Sequence, residues 1–290
     1  LWTMNPPSIS HAMHGATLIV NLSASDETTG KPAYRRELVR GQSARLLCGY
    51  IYASAGDGES TQDVVYSGHN LIAENGRLLA ESELFSTQTV STEIDVMRLA
   101  SERRRMTTFE TATEPMYHET VFSLKMEETK LTRYIDPMPF VPSGERDRTL
   151  RCEEILSIQS MGLKKRLEHT HCKSAVIGIS GGLDSTLALL VTVRAFDALG
   201  MDHGNIKAVT MPGFGTTDRT YDNAVSLIRC LGADFTEVDI KDAVNVHFRD
   251  IGQNPSVHDV TYENGQARER TQILMDIANK SGGMVIGTGD

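Results

Sequence analysis

The sequence predicts an α/β protein with two domains, of which the second is built on a doubly wound parallel sheet. Short apolar segments rich in β-branched residues alternate with segments of helical periodicity along most of the chain. Pro137, Pro139 and Pro142 interrupt this alternation, because proline excludes a regular helix or a central strand. We therefore expect a first domain at 1–105, a linker at 106–146 and a second domain at 147–290.

The first domain is predicted from apolar runs and one turn signal. The pair Asn75-Gly76 stands between two apolar runs and predicts a hairpin, because both residues tolerate a positive φ. The run Arg103-Arg104-Arg105 ends a basic helical segment, which we interpret as a solvated helix face. In chain order, the predicted elements are a strand at 16–22, a helix at 35–48, a strand at 50–55, a hairpin at 71–80 and a helix at 92–106.

The second domain is predicted from the regular alternation of strand and helix patterns. This alternation implies right-handed crossovers between parallel strands, with helices on both faces of a Rossmann-like sheet. Ligands of such sheets bind at the carboxyl ends of the strands. The predicted elements are helices at 147–168, 183–199, 221–231, 241–250 and 262–280, and strands at 174–179, 206–211, 235–240 and 283–287.

Composition and charge narrow the class of function. A net charge of −9 and a pI near 5.5 argue against an extended surface for nucleic acid or anionic membrane. The four cysteines are far apart and form no CxxC pair, so the sequence suggests neither a zinc knuckle nor a disulfide framework. No run approaches the roughly 20 apolar residues that span a bilayer, and the start lacks the pattern of a secretory signal. We expect a cytoplasmic protein that binds small anionic ligands.

Both ends of the sequence are interpreted as cuts in a longer protein. The chain opens at Leu1-Trp2 without a methionine. It closes on Gly287-Thr288-Gly289-Asp290, directly after an apolar run, where a loop is expected to lead into another helix. We expect residues that are needed for activity to lie outside the 290 residues, and we expect this fragment by itself to be inactive.

The clearest functional element is a glycine-rich loop between a predicted strand and a predicted helix. Two glycines allow backbone N–H groups to approach a polyphosphate, and the helix N-terminus adds its positive dipole. Asp184 repels a phosphate unless a Mg²⁺ ion bridges them, so we predict Asp184 as a magnesium ligand. The loop lacks the lysine of a Walker A motif. The residues predicted to bind ATP here are Gly178, Ile179, Ser180, Gly181, Gly182, Leu183, Asp184 and Ser185.

The loop resembles the SGGxDS signature of the ATP pyrophosphatases, which release pyrophosphate and adenylate a substrate oxygen. The alternative interpretation is a glycine-rich turn in which Asp184 caps the helix. Several adenylating enzymes share the signature, so the loop alone does not identify the substrate. Two further segments are more specific, 211–221 (MPGFGTTDRTY) and 262–271 (YENGQARERT).

Both segments, and the closing GTGD, resemble the synthetase domain of glutamine-dependent NAD⁺ synthetases. Asn264 and Arg268 lie four residues apart on one helical face and can present an amide and a guanidinium together, whereas Arg270 points elsewhere. The resemblance implies that Asn264 and Arg268 contact deamido-NAD⁺ and that Thr288 contacts ATP. A solvated surface helix is the alternative for this segment.

The N-terminal part resembles the second half of the nitrilase-type glutaminase domain of the same family, which implies the C-terminal half of an α-β-β-α sandwich. That domain uses a Glu-Lys-Cys triad, and all three positions are expected to precede Leu1. Ser25 and Lys31 match positions that bind glutamine in the family; a turn serine and a solvated lysine are the alternative. The segments that carry the resemblance are 21–25 (NLSAS), 30–31 (GK), 42–45 (QSAR), 52–55 (YASA), 58–61 (GEST) and 79–82 (LAES).

The function implied is the ATP-dependent amidation of deamido-NAD⁺ to NAD⁺ through an acyl-adenylate, with release of AMP and pyrophosphate. Ammonia comes from glutamine hydrolysis in the full-length enzyme, which the resemblance implies is a homo-oligomer. The alternatives are a stand-alone carbon-nitrogen hydrolase, another glutamine-dependent adenylating amidotransferase, and a nucleotide-binding module without turnover. Cys48 lies between two leucines and a strand, which is typical of a buried structural thiol rather than a nucleophile.

Overall fold

The protein folds into two compact α/β units. The computed structural model describes residues 1–60, 62–113, 117–125, 130–214 and 218–288. The units are Leu1–Asp136 and Pro137–Asp290, and the division between them lies within the predicted linker. None of the helices in the described ranges is both long enough and apolar enough to cross a membrane. The predicted α/β class is confirmed.

The first unit contains a four-stranded mixed sheet. The strand order is β1-β2-β3-β4, with β1 parallel to β2 and the other neighbours antiparallel. A helix, α1, precedes the first strand and was not predicted. The elements are α1 (Ser8–Met13), β1 (Leu18–Ser23), α2 (Lys31–Arg45), β2 (Gly49–Ser54), β3 (Leu71–Glu74), β4 (Arg77–Glu81) and α3 (Val96–Arg105).

Helix α2 begins four residues earlier than predicted. Gly30 adopts a left-handed conformation at the N-cap, with φ of 83°, and Pro32 stands in the first turn, where its missing N–H costs no hydrogen bond. The helix ends at Arg45, and Leu47 after it has a positive φ of 45°. The hairpin prediction is confirmed, because Asn75 and Gly76 join β3 to β4 with φ values of 45° and 81°.

The core of the first unit lies on one face of this sheet. Ile19, Tyr50 and Leu71 point to this face and pack with Val39 of α2. The opposite face of β1 is open. Leu18, Val20 and Leu22 of that strand are 43%, 59% and 82% exposed, which is unusual for three alternating apolar residues.

The second unit contains a four-stranded parallel sheet. Its strand order is β7-β6-β5-β8, and every neighbouring pair is parallel. The chain therefore runs outward from β5 through β6 to β7, and then returns to place β8 on the other side of β5. The elements are α4 (Glu145–Thr170), β5 (Ser174–Gly178), α5 (Leu183–Leu199), a short 3-10 helix (His203–Asn205), β6 (Ile206–Thr210), α6 (Asp218–Cys230), β7 (Asp234–Glu237), α7 (Lys241–Ile251), α8 (Val260–Ser281) and β8 (Gly283–Val285).

The predicted strand and helix alternation of the second unit is confirmed, with shifts at the ends of elements. The strand at 235–240 was predicted too long, because Ile240 is already the N-cap of α7 and is buried against its first turn. Apolar residues of β5 and β6, among them Ile177 and Ala208, pack with α5 residues such as Phe196 to form the main core. The reversal of strand order beside β5 creates a crevice at the carboxyl end of the sheet, where ligands of this fold class bind.

Candidate active site

The glycine-rich loop leaves the sheet at this crevice. It follows β5 directly and leads into α5, whose N-cap is Gly182. The backbone N–H of Ile179 donates to the carbonyl of Val209 at 2.8 Å, so the loop starts from a fixed position beside β6. Gly181 has a φ of 82°, which favours glycine at this turn. The predicted strand-loop-helix context is present.

Hydrogen bonds within the loop hold its shape around two serines. The hydroxyl of Ser185 accepts a hydrogen bond from the backbone N–H of Ser180 at 3.3 Å and donates to the carbonyl of Gly182 at 3.1 Å. The Ser180 hydroxyl in turn accepts from the N–H of Gly182 at 3.3 Å and lies 3.2 Å from the Ser185 hydroxyl. Ser185 is buried and Ser180 is exposed. The arrangement turns the loop around the first turn of α5.

The first turn of α5 is suited to an anion and a cation together. No side chain caps the helix through Gly182, so the dipole of the first turn is available to a ligand. Asp184 lies in this turn and its side chain is exposed, so the interpretation of Asp184 as the N-cap is wrong; Gly182 occupies that position. The described residues contain no group of three or more His, Cys, Asp or Glu side chains that would hold a metal ion by themselves.

A cavity of about 670 Å³ opens beside this loop. Its floor is formed by the end of β5 and the end of β6, including Gly178 and Thr210. Gly178 is a tight position, because a Cβ there would lie 3.1 Å from Leu274 and 3.2 Å from Met211. One wall is α8, which presents six of its residues, and another is the segment after β6. The cavity is large enough for a nucleotide-sized ligand.

The α8 wall is formed by residues at helical spacing. Tyr262, Gln266 and Arg270 follow each other at intervals of four and face the cavity. Arg270 donates from Nε to the carbonyl of Met211 at 3.4 Å, and burial lowers the pKa of its guanidinium. Opposite them, a Cβ on Gly213 would lie 2.6 Å from Nη2 of Arg270 and 2.8 Å from Oε1 of Gln266. The close approach requires glycine at this position.

Aromatic side chains line the outer part of the cavity. The Tyr262 ring stacks on the imidazole of His258 with 4.3 Å between centroids, and it lies 5.9 Å from the Phe214 ring. Tyr221, also at the cavity, donates from its hydroxyl to Glu237, and this hydrogen bond raises the pKa of the tyrosine. The cavity therefore combines flat apolar surfaces with the half-buried guanidinium of Arg270, which suits a planar, polar ligand.

The structure separates the residues that the sequence predicts for deamido-NAD⁺ from this cavity. Asn264 and Arg268 are exposed and do not line the cavity, whereas Arg270 does, which agrees with the prediction that it points elsewhere. Thr288 follows β8, so it lies at the same sheet edge as the loop after β5. The roles predicted for Asn264, Arg268 and Thr288 stay predictions. Thr61, Gly215, Thr216, Thr217, Gly289 and Asp290, which belong to the segments used above, lie outside the described residues.

Ser25 and Lys31 lie in the first unit, at the two ends of one connection. The segment 24–30 joins β1 to α2, and Lys31 is the first residue of that helix. The Lys31 ammonium donates to Oδ1 of Asp26 at 2.8 Å and to the Asp26 carbonyl, and it lies 5.3 Å from the ring centre of Trp2. Hydrogen bonding to Lys31 lowers the pKa of Asp26. Ser25 is half-buried in the same connection.

Cys48 is a structural thiol. It is completely buried among apolar residues, and burial raises its pKa to about 12. A thiol with that pKa is protonated at neutral pH and is a poor nucleophile. The interpretation of Cys48 as a buried hydrophobe is confirmed.

Sequence reasoning missed the cavity wall. Gln266 and Arg270 were not selected, although Tyr262, Gln266 and Arg270 show the four-residue spacing of one helical face. Gly213 was not recognised either, because its requirement for glycine comes from α8 side chains more than 50 residues away in sequence. The helical spacing was the available signal.

The comparisons with known proteins identify relatives of both units. Residues 155–290 match the family described as NAD synthase. The chain is 43% identical over 300 residues to the glutamine-dependent NAD⁺ synthetase of Mycobacterium leprae, covering 98% of this chain and 44% of the relative. It is 28% identical to the glutamine-dependent NAD⁺ synthetase of Thermotoga maritima, covering 100% of this chain and 49% of that relative. The chain thus spans about half the length of the relatives it matches.

Solved structures of similar description also align. The glutamine-dependent NAD⁺ synthetase of Acinetobacter baumannii, in complex with ADP, covers 94% of this chain and 44% of its own, at 22% identity and a TM-score of 0.45.

Proposed function

We propose that the protein takes part in the ATP-dependent amidation of deamido-NAD⁺, because residues 155–290 match the NAD synthase family and the whole chain is similar to glutamine-dependent NAD⁺ synthetases. The observation that carries this proposal is the loop at the crevice of the second unit, with its open helix N-terminus and exposed Asp184. Glutamine is the proposed source of ammonia, and NAD⁺, AMP and pyrophosphate are the proposed products.

The proposed reaction has two steps. An oxygen of the nicotinate carboxylate forms a bond to the α-phosphorus of ATP, and the bond to the departing pyrophosphate breaks. Ammonia then attacks the carbonyl carbon of the acyl-adenylate, AMP leaves with the electron pair of the broken C–O bond, and the amide loses a proton. Catalysis of this kind depends on positioning and on stabilising developing negative charge.

The loop residues are proposed to hold the pyrophosphate. The glycines at 181 and 182 let backbone N–H groups approach the phosphate oxygens, and the dipole of α5 favours the negative charge that develops on the leaving group. Ser180 is exposed at the loop and can donate its hydroxyl to an oxygen. The Ser185 hydroxyl is already hydrogen-bonded to the backbone of Ser180 and Gly182, so we propose that it mainly holds the loop in its conformation.

Mg²⁺ is the proposed cofactor, and the donor chemistry of the site fits it. A carboxylate next to a polyphosphate is repulsive without a cation, and Mg²⁺ commonly takes one or two carboxylates together with substrate phosphates. Asp184 would supply such an oxygen ligand from the first turn of α5. The ion, when bound, neutralises negative charge on the departing pyrophosphate.

The cavity between the loop and α8 is proposed to take the adenosine part of ATP. It lies next to Ser180, offers aromatic faces at Tyr262 and Phe214, and contains the Gln266 amide as a hydrogen-bonding group. Asn264 and Arg268 on the exposed side of α8 remain our proposed contacts for deamido-NAD⁺, and Thr288 our proposed additional contact for ATP.

The first unit is proposed to be part of a nitrilase-like glutaminase. The exposed apolar face of β1 fits one half of a two-sheet sandwich, in which a second sheet covers Leu18, Val20 and Leu22. Ser25 and Lys31 are proposed to bind glutamine. The Lys31 ammonium has three N–H donors and directs two hydrogen bonds to Asp26, so one donor remains for a ligand.

Substitution of Asp184 tests the proposed function. In the full-length protein, Asp184→Ala is expected to lower the ammonia-dependent rate of NAD⁺ formation by roughly a thousandfold, because several kcal/mol of transition-state stabilisation are lost. The matched control is Asp197→Ala, near the other end of α5, which removes a surface pair with His203 and is expected to keep the wild-type rate. Near-normal activity of the Asp184 variant would overturn the proposed role of the loop.

A further inference from the structure

A cluster of charged side chains lies inside the first unit, behind the segment that carries Ser25 and Lys31. Arg35 donates from Nη1 to Oε2 of Glu27 at 2.9 Å, and the same nitrogen lies 2.9 Å from Nδ1 of His69. The side chain of Arg35 is completely buried, and that of Glu27 is 7% exposed. The ion pair is therefore shielded from water.

The cluster continues from Glu27 towards the surface. The Ser67 hydroxyl donates to the Glu27 oxygen that also accepts from Arg35. His69 lies 2.7 Å from Glu81 through its Nε2 atom, and Glu81 accepts two hydrogen bonds at 3.1 Å from Nε of Arg36. Burial by itself would raise the pKa of Glu27, but the hydrogen bonds from Ser67 and Arg35 outweigh this effect. The pKa is therefore lower than usual, and the carboxyl is held ionised.

This cluster stabilises the fold less than apolar residues in the same place would. Oε1 of Glu27 and both Nε and Nη2 of Arg35 are buried without a hydrogen-bond partner among the described residues. A buried polar group without a partner destabilises the folded state, and a buried ion pair is seldom more stable than apolar residues of the same volume. Stability alone therefore does not explain why these two charges are buried together.

The position of the cluster suggests what it does. Glu27 belongs to the connection between β1 and α2, and its backbone N–H donates to the carbonyl of Val65 at 2.6 Å. Arg35 lies one helical turn after Lys31 on α2. The connection is thus fixed twice to the start of α2, through Asp26 to Lys31 and through Glu27 to Arg35.

We propose that Glu27 and Arg35 are positioning residues for glutamine, an inference that rests on the proposed binding of glutamine by Ser25 and Lys31. The ion pair fixes the connection from the inside and so sets the distance between the Ser25 hydroxyl and the Lys31 ammonium. Without it, the two groups separate and the amino acid is bound less tightly. Neither Glu27 nor Arg35 touches the substrate.

The test uses Glu27→Ala in the full-length enzyme, assayed with glutamine and with ammonium as the nitrogen donor. We expect KM for glutamine to rise about tenfold to a hundredfold, because a displacement of about 1 Å has effects of that size. The ammonium-dependent rate is expected to stay at the wild-type value, since ammonium bypasses the glutamine site. Glu27→Gln keeps an oxygen acceptor for Ser67 and Arg35 and is expected to recover part of the loss.

The control and the milder variant separate positioning from folding. Glu37→Ala removes an exposed carboxylate of the same helix, paired with Arg40 at 3.5 Å, and is expected to have the wild-type KM. Ser67→Ala removes a single donor to Glu27, and a several-fold rise in KM is expected even if Glu27→Ala does not fold. A wild-type KM in folded Ser67→Ala and Glu27→Gln would overturn the inference, as would equal losses with both nitrogen donors. A wild-type enzyme that uses ammonium but not glutamine would instead overturn the proposed glutaminase function.

Discussion

The packing of α8 on α7 predicts opposite effects for the same substitution at two helical glycines. Gly265 lies in α8 beside the cavity wall, and a Cβ there would lie 2.6 Å from Cε1 of Phe248. Phe248 is completely buried and packs with Ile240, Val244 and Tyr262, so any movement of its ring must displace these neighbours. Gly162 in α4 is exposed, and a Cβ there would meet no atom within 4 Å.

The magnitudes follow from these distances. Ordinary contact begins at 3.4 Å, so the Phe248 ring and the added methyl must separate by roughly 0.8 Å. Overpacking of this kind destabilises the fold by about 2–3 kcal/mol, and the better helix propensity of alanine offsets about 1 kcal/mol of this loss. For a unit of this size the net loss lowers Tm by roughly 2–8 °C. Gly162→Ala gains only the propensity term and raises Tm by roughly 2–4 °C.

Both variants are compared with the wild type by differential scanning calorimetry under identical conditions. Phe248 also lies 5.6 Å from the Tyr262 ring, so Gly265→Ala is expected to raise the KM for ATP as well. If Gly265→Ala raised Tm as much as Gly162→Ala, the close packing between α7 and α8 would be refuted.

Three further predictions follow from the described contacts. In the folded protein, exposed Cys152 and Cys230 are expected to react with a thiol reagent while Cys48, whose pKa is about 12, stays unmodified until unfolding; fast labelling of Cys48 would contradict its burial. Gly213→Ala is expected to displace Arg270 and Gln266 and to weaken ATP binding measured by calorimetry, whereas unchanged affinity would place the nucleotide elsewhere. Burial raises the pKa of Glu74, but hydrogen bonds from Arg133 and from the Asp95 N–H lower it overall. The ionised Glu74 therefore stabilises the fold at pH values above the pKa of the unfolded state, and this stabilisation is lost as the pH falls through the pKa of the folded state. Arg133→Met is therefore expected to lower the free energy of unfolding of the first unit most at pH 7 and less under acidic conditions, as measured by urea titration. A difference between variant and wild type that did not change with pH would contradict this sign.

The architecture of the second unit was predictable because its signals are local. The apolar β-branched run of β5, the glycines after it and the apolar periodicity of α5 lie within one stretch of sequence. Their order alone implies a parallel strand that ends in an anion-binding turn. The Asn75-Gly76 turn was predictable for the same reason, since its φ values depend on the two residues themselves.

Features that depend on distant contacts were not predictable. The Glu27–Arg35 pair forms only when α2 packs against the connection that precedes it. A sequence pattern does not distinguish a buried arginine from a solvated one. The cavity is formed where α8 lies opposite Gly213, and the two are joined only by tertiary packing. Helix α1 was missed because its six residues are too few to show a period.

Within the first unit, β1 is at once the outermost strand of its sheet and the one with Leu18, Val20 and Leu22 on the surface. An outer strand offers unpaired backbone groups, and an apolar flank removes the charges that normally discourage another chain from pairing there. Expression of the first unit on its own therefore favours aggregation through strand-to-strand association. Lysine at Leu22, the most exposed of the three, is the substitution that interrupts this association with least effect on the core.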